Sequence, residues 1–356
     1  MSSLQIRAGR SAIALIRDGG FSLDAVRSYY GPASGPRWLI VSGFDRTLFS
    51  SGLLGNSKPV LLAGSSAGAW RFAAWLQPEP EKSYSTLMES YITAPYSRKD
   101  SPQQILKTLG GIVNTYLERD AVPFALASKK YRIAIATMRC RPLTASERPW
   151  VQQTGFMFSY LMNMASPATL HAFGERVIFY NGPKPPSFCL RSDFKGSYIR
   201  LSATNFRAAI LASGAIPVVV AGVRDIYGAP TGVYRDGGFF DYHLTHRYTE
   251  RDDEVTLFFN HQERIIPGWM DKKRLKRKPS EEILDNVLMV YPSETFVQGL
   301  PNGKVPDRDD ITALIDDPET RIRNWWQAVK QSAHFGEEFL ELVESGRIRH
   351  VVEPIT

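Results

Sequence analysis

A serine with glycine two positions to either side, Gly64-Ser65-Ser66-Ala67-Gly68, and an aspartate followed by two glycines, Asp236-Gly237-Gly238, are residues whose types and spacing can do covalent chemistry. The first group follows a short apolar run, residues 60–63. It precedes Ala69-Trp70-Arg71-Phe72-Ala73-Ala74-Trp75, whose apolar residues recur at helical spacing. Strand, tight turn and helix are the local structure this predicts. The flanking glycines Gly64 and Gly68 let strand and helix approach closely while the serine at the tip has its hydroxyl pushed outward, the arrangement of a nucleophile elbow. Ser66 is the candidate nucleophile. A serine hydroxyl attacks poorly at neutral pH without a base in hydrogen-bond reach. Asp236 is the candidate base, because Gly237 and Gly238 let the backbone turn sharply and aim its carboxylate at another loop. Short glycine patterns also arise by chance and in ordinary β-turns. The chain repeats the second one at Arg17-Asp18-Gly19-Gly20, so one of the two aspartates is a decoy.

A nucleophile of this kind, attacking a carbonyl, develops an oxyanion that needs at least two N–H donors fixed in advance. The small residues of the loop 31–37, Gly-Pro-Ala-Ser-Gly-Pro-Arg, can present successive N–H groups to one point, although the same composition marks a plain turn. Pro36 has no N–H. The candidate donors are therefore Ser34, Gly35 and Arg37, with Ala67 directly after the nucleophile. The Arg37 side chain is open to two roles, holding the loop or gripping a substrate headgroup.

Taken in chain order, this loop, the elbow, Ala212-Ser213-Gly214-Ala215-Ile216-Pro217 and Asp236-Gly237-Gly238 resemble the motifs of the patatin-like phospholipases over residues 31–238. The resemblance implies a Ser66–Asp236 dyad that works without histidine, Asp236 both orienting Ser66 and taking its proton, in hydrolysis of lipid esters through an acyl-enzyme. It also implies an α/β fold, a three-layer α/β/α sandwich around a mostly parallel sheet, with oxyanion donors near Ser34 and Gly35. Asp236 rather than Asp18 matches, since the family's aspartate follows the serine. The dyad needs no metal, and no cofactor is expected. Two features depart from the family: Ala33, Ser34 and Gly35 stand for the usual glycine triplet, and Trp38 stands where a glycine is expected. Two other readings compete. One is an α/β-hydrolase-type esterase with a Ser-Asp-His triad, for which His243, His246, His261, His334 and His350 all follow Asp236. The other is a catalytically silent lipid-binding protein of the same fold.

Composition sets the wider frame. In 356 residues, 43% are apolar and 22% charged, enough for a sizeable core and unlike a disordered chain. No apolar run reaches membrane-spanning length and residues 1–7 lack the apolar core of a signal peptide, so a cytoplasmic protein is expected, with signal-independent export left open. Cys140 and Cys189 lie far apart, without metal-ligand spacing and too few for a disulfide framework. Part of the net charge of +7 is local: Lys272, Lys273, Arg274, Lys276, Arg277 and Lys278 follow Trp269 and Met270. This run fits peripheral contact with an anionic membrane or an ordinary solvated basic face. Nucleic acid is a third partner for such a run, but no recognised module accompanies it and none is expected.

The remaining pattern predicts strands at 11–16, 132–138, 177–180, 254–259 and, as the last, 288–291. Helices are expected after Ser22 with Leu23, Val26 and Tyr29 or Tyr30 on one face, at 86–91, 104–117 and 204–212, and from 309 onward. Residues 38–41 are apolar and short, and 141–149 read as a loop. Met157, Met162 and Met164, with Phe156, Phe158, Tyr160 and Leu161, read as core first and as an adaptable acyl channel second. Residues 218–221 read as a buried apolar run. The whole is expected as one patatin-like domain, a motif-bearing core at about 11–260 and a helical part at about 261–356.

Overall fold

Along the central strands, successive side chains enter two separate cores. Tyr29, Leu62, Ile133 and Ile135 join one apolar cluster, and their neighbours Tyr30, Ala63, Ala134 and Ala136 join another. That is what the two-residue period of a strand dictates when both sheet faces are covered. The computed structural model describes residues 2–19 and 21–355. Among them the sheet has eleven strands: β1 (Leu4–Ala8), β2 (Val26–Gly31), β3 (Val60–Ser65), β4 (Tyr131–Cys140), β5 (Gly174–Tyr180), β6 (Ser197–Arg200), β7 (Val223–Arg224), β8 (Val233–Asp236), β9 (Val255–Phe259), β10 (Val287–Pro292) and β11 (Glu353–Pro354). Their spatial order is β11, β1, β10, β9, β2, β3, β4, β5, β6, with β8 on β4 and β7 on β8. The centre, from β10 through β9, β2 and β3 to β4, is parallel throughout. Antiparallel pairing enters at β1, β5 and β8.

This is an α/β sandwich with a mostly parallel sheet flanked by helices. One face carries the helices Ala67–Trp75, Phe206–Ser213, Pro318–Gln331 and Phe335–Glu344, which bury Phe72, Ile210, Trp325 and Phe339 in the first cluster. The opposite face is closed by Phe188, Leu244, Tyr248 and Ile265 from loops and short helical turns, with Leu284. Residues beyond 261 supply β10 and β11 to the same sheet. The helix that follows Ser66 is pinned by a buried ion pair: Arg71 meets Asp45 of the helix Ser42–Ser51 at 2.5 Å. Asp45 also accepts from the hydroxyls of Tyr29 at 2.7 Å and Tyr84 at 2.6 Å. A buried carboxylate satisfied on this scale repays its desolvation better than a bare pair.

Several expectations need correction. Residues 11–16 form a helix, Arg10–Arg17, not a strand; in an unbroken apolar run both periods fit, and Ala12 and Ile16, one turn apart, are the buried pair. The strand beside it is β1, whose alternation of buried Leu4, Ile6 and Ala8 with Gln5 and Arg7 carries the signal. The helix expected after Ser22 is one 3₁₀ turn, Leu23–Ala25, and Tyr29 and Tyr30 belong to β2. Residues 38–41 lie in a 3₁₀ helix, Gly35–Val41, that runs on into Ser42–Ser51. The loop 141–149 contains a short helix, Pro142–Ala145, and β11 follows the strand expected to be last. The methionine-rich stretch is a helix, Pro149–Ala165, whose Met157, Met162 and Met164 are exposed rather than core. Val219 is likewise 46% exposed instead of buried. Apolarity in a sequence reports what a residue prefers, not whether anything covers it.

Candidate active site

Strand β3 ends at Ser65, the helix begins at Ala67, and Ser66 between them has φ 52° and ψ −124°. A non-glycine residue at positive φ is strained, and such strain persists only where the surroundings over-determine it. Here the Ser66 N–H donates to the Ser213 hydroxyl at 2.8 Å, and that hydroxyl donates to the Ala136 carbonyl on β4 at 2.7 Å. The Ser66 carbonyl accepts the Trp70 N–H at 3.1 Å, opening the helix. Gly68 is required by contact: a Cβ there would sit 1.9 Å from the Gly31 carbonyl oxygen, so β2 runs directly against the first turn of the helix. Gly64 faces the same turn, with 2.7 Å from its would-be Cβ to Gly68.

Asp236 closes β8, opposite Thr137 of β4. Its N–H donates to the Ala215 carbonyl at 3.0 Å, so the segment that steadies Ser66 through Ser213 also holds the backbone of Asp236. The Gly238 N–H donates to Asp236 Oδ1 at 2.8 Å. A Cβ on Gly237 would strike the Ala136 carbonyl at 2.2 Å, so only glycine lets the chain pass β4 there. Burial pushes the Asp236 carboxyl up to about 6, against the opposing pull of the Gly238 N–H, the Ser66 hydroxyl, Arg308 and Lys272. Asp18, the competing aspartate, is exposed at the C-terminal end of the first helix. Gly20 of that pattern lies outside the described residues.

The loop before Arg37 divides the expected donors. The Ser34 N–H is turned away, donating to the Pro32 carbonyl at 2.9 Å. Gly35, at φ 55°, and Ala67, the first residue of the elbow helix, flank Ser66 on the wall of one cavity. Arg37 points its guanidinium at Asp307, Nη2 to Oδ2 3.6 Å, tying the loop to the C-terminal part.

Two cavities meet at Ser66. The larger, about 90 Å³, is apolar, walled by Trp70, Tyr91, Leu109, Ile216 and Ile311. The smaller, about 30 Å³, is bounded by Asp236, Gly238, Phe239, Tyr242 and Trp269. Gly35, Ser66, Ile216 and Arg308 border both. Arg308 opens the helix Arg308–Ala313 and lies over Gly35, its Cγ 3.6 Å from where a Cβ would be. Lys272 places Nζ 4.4 Å over the Tyr242 ring, and burial, with repulsion from Arg308 and Arg37, pulls its ammonium down to about 7.

No protein-family model and no curated protein matches this chain. Among solved structures, VipD from Legionella pneumophila is similar at a TM-score of 0.36 and 12% identity, over 90% of this chain and 67% of that chain.

The basic run is split by the fold. Lys272 lies over the ring of Tyr242, a wall of the smaller cavity, without itself lining that cavity, and Arg277 pairs with the buried Asp271 at 2.9 Å. Lys273, Lys276 and Lys278 point outward, and Trp269, half-buried, walls the cavity. Among the described residues, no histidine lines either cavity at Ser66. His243 is buried and accepts the Ile266 N–H on Nδ1 at 3.0 Å; burial, Lys272, Arg37 and Arg264 hold it well below the usual histidine range. His246 stacks on Phe188 near Asp241, and burial holds it at about 4. Sequence reading missed Arg308, which carries no local pattern, and assigned Lys272 to a surface.

Proposed function

We propose that this chain is a serine-dependent acyl hydrolase of lipid esters, working through Ser66 and Asp236 in the patatin-like manner. One observation carries the reading: a serine at positive φ on a strand-to-helix elbow shares a cavity wall with a buried carboxyl held near 6. As Ser66 Oγ bonds to the ester carbonyl carbon, Asp236 takes its proton, and the carbonyl oxygen becomes an oxyanion facing the N–H groups of Gly35 and Ala67. Collapse breaks the bond to the alcohol, which leaves with the proton from Asp236. Water, deprotonated by Asp236, then frees the acid from the acyl-enzyme and Ser66 recovers its proton. Microscopic reversibility lets one carboxyl serve both halves.

The two cavities divide the substrate. The apolar one receives the start of an acyl chain, and the smaller one, with Arg308 and Lys272, receives the alcohol side. Arg308 on its wall and Lys272 over the Tyr242 ring beside it favour an ester whose alcohol bears an anionic group such as a phosphate. A lipid-class screen of the full chain against Ser66→Ala, with fluorophosphonate labelling, tests the reading. The intact protein is expected to label at Ser66 and hydrolyse at least one anionic lipid ester, and the variant to do neither. A folded protein that does not label supports the silent lipid-binding alternative.

A further inference from the structure

The helix Pro149–Ala165 has no charged residue in 17. Its inward side buries Gln152, Gly155, Phe156, Ser159 and Asn163. Trp150, Met157, Phe158, Leu161, Met162 and Met164 are exposed, Trp150 at 68% and Met157 at 60%. At about 100° per residue these six fall within one half of the helix circumference. Monomeric soluble proteins rarely leave a contiguous apolar face of this kind uncovered.

Charge specifies what covers it. Lys273, Lys276 and Lys278 project from a segment riveted to the end of this helix. There the Asn163 side chain donates to Asp271 Oδ1 at 2.7 Å, and Arg277 Nη1 donates to the Asn163 carbonyl and to Asp271, each at 2.9 Å. Arg148, exposed, sits just ahead of the first turn. The nearby acids are already committed, Glu147 to Arg235, Asp271 to Arg277, and Glu263, which shares a pocket wall with Lys278, to Arg7. An uncharged half-helix, apolar apart from the exposed Thr154, beside lysines with no ion pair among the described residues is the chemistry of an interfacial helix on anionic lipid.

Position agrees. On the inner side, Phe156 packs on Phe239 at 5.8 Å and Trp269 at 6.1 Å, both walls of the smaller cavity. Gln152 Oε1 accepts the Val218 N–H at 2.5 Å, where Val218 has φ 70°, and the next residue, Val219, is an exposed wall of the apolar cavity. The inward side of the helix is thus packed against walls of the smaller cavity and holds the residue next to a wall of the apolar one. No helix among the described residues is long and apolar enough to cross a membrane, so contact with lipid would place this one in the interface plane.

We infer that the outward half of helix Pro149–Ala165, together with Lys273, Lys276 and Lys278, docks the protein on an anionic lipid surface. Docking does not depend on turnover, so it is measured in the Ser66→Ala background, which keeps failure of the hydrolase reading separate. Sedimentation with phosphatidylcholine vesicles, with and without phosphatidylserine, is expected to show binding that needs the anionic lipid and weakens with salt. Phe158→Ser with Leu161→Ser should weaken it at least about tenfold, given the transfer free energy of such side chains. Lys273→Gln, Lys276→Gln and Lys278→Gln together should weaken it on the order of a hundredfold, at about 1 kcal/mol per lysine. Both variants are expected to keep the parent's unfolding midpoint, and binding should blue-shift the Trp emission, a shift that Trp150→Phe, which replaces one of seven tryptophans, should remove. Equal binding to both vesicles, binding to neither, or no effect of the two variant sets would overturn the inference. So would a dimer in solution that Leu161→Ser dissociates and that does not bind vesicles, which would assign the face to a second copy.

Discussion

The backbone N–H of Ser66 donates to the hydroxyl of Ser213 at 2.8 Å, and that hydroxyl spends its own proton on Ala136. Ser213 thus spans the elbow and β4 and fixes the strained backbone from which Ser66 Oγ projects. Ser213→Ala leaves a buried N–H and a carbonyl unpaired, at a cost of about 1–3 kcal/mol. The expected outcome is a lower unfolding midpoint with fluorophosphonate labelling slowed tenfold or more. A variant that lost stability but labelled at the parent's rate would confine Ser213 to a structural role.

Asp236 gives a pH profile with a definite sign. Its carboxyl, facing Ser66, the Gly238 N–H, Arg308, Lys272 and Tyr242, is held at about 6 by burial. As the proposed base it must be ionised, so kcat/KM for a neutral ester should rise with pH through about 6 and level off above. For stability the sign is opposite. The folded state holds the proton more tightly than the unfolded one, so this group's stabilisation is present below the ordinary aspartate range and is lost as pH rises through about 6. Asp236→Asn should abolish turnover and gain up to about 3 kcal/mol at pH 8, with little gain at pH 4, read by denaturant unfolding.

How much of this was legible follows from how local each feature is. The elbow and Asp236 could be read because Gly64, Gly68 and Gly237 answer to close backbone contacts, and such demands leave glycine in the sequence. The central strands could be read because they are short apolar runs between turns. Arg308 could not: nothing near it in the chain announces the cavity, and only the packing of the C-terminal part over the Gly35 loop, aided by Arg37 and Asp307, brings it there. Residues 11–16 satisfy helix and strand periods alike, and β1 had already taken the sheet position beside β10. The Met157 face was misread because hydrophobic pattern carries no information on whether a partner is a core or a surface.

Arg308 and Lys272 predict a charge preference. Arg308→Met should raise KM about tenfold for an ester with an anionic alcohol group and less than twofold for a neutral one, with kcat little changed. Lys272 is pulled down to about 7 by burial, Arg308 and Arg37, against the opposing Asp236 and Asp309. The anionic ester should therefore bind more weakly as pH climbs through about 7, and Lys272→Met should flatten that dependence. Initial rates across pH for a matched pair of esters check both. Equal effects on the neutral ester would mean that the cations act on the fold.

Gly68 is a packing demand of another kind. A methyl group there would lie 1.9 Å from the Gly31 carbonyl oxygen, and neither the strand nor the first turn of the helix can yield without moving Ser66. Gly68→Ala should cost about 3 kcal/mol or more, as severe overpacking does. Gly111 has nothing within 4 Å of its would-be Cβ, so Gly111→Ala should be neutral or slightly stabilising by helix propensity. Paired thermal melts check the contrast.

Histidine independence separates the dyad from a Ser-Asp-His triad. In a triad the base donates its Nδ1 proton to a carboxylate and accepts the serine proton on Nε2. His243 accepts the Ile266 N–H on Nδ1, so that nitrogen carries no proton to give a carboxylate, and burial and nearby cations oppose charging the ring. His246 is likewise held at about 4 among Phe188, Phe194 and Arg176. His243→Gln and His246→Gln should therefore keep turnover within about fivefold of the parent wherever the protein stays folded. Removing a triad base costs several orders of magnitude. A loss on that scale in either variant, with the Ser66 labelling site folded and the unfolding midpoint unchanged, would restore the triad and demote Asp236 to an orienting residue.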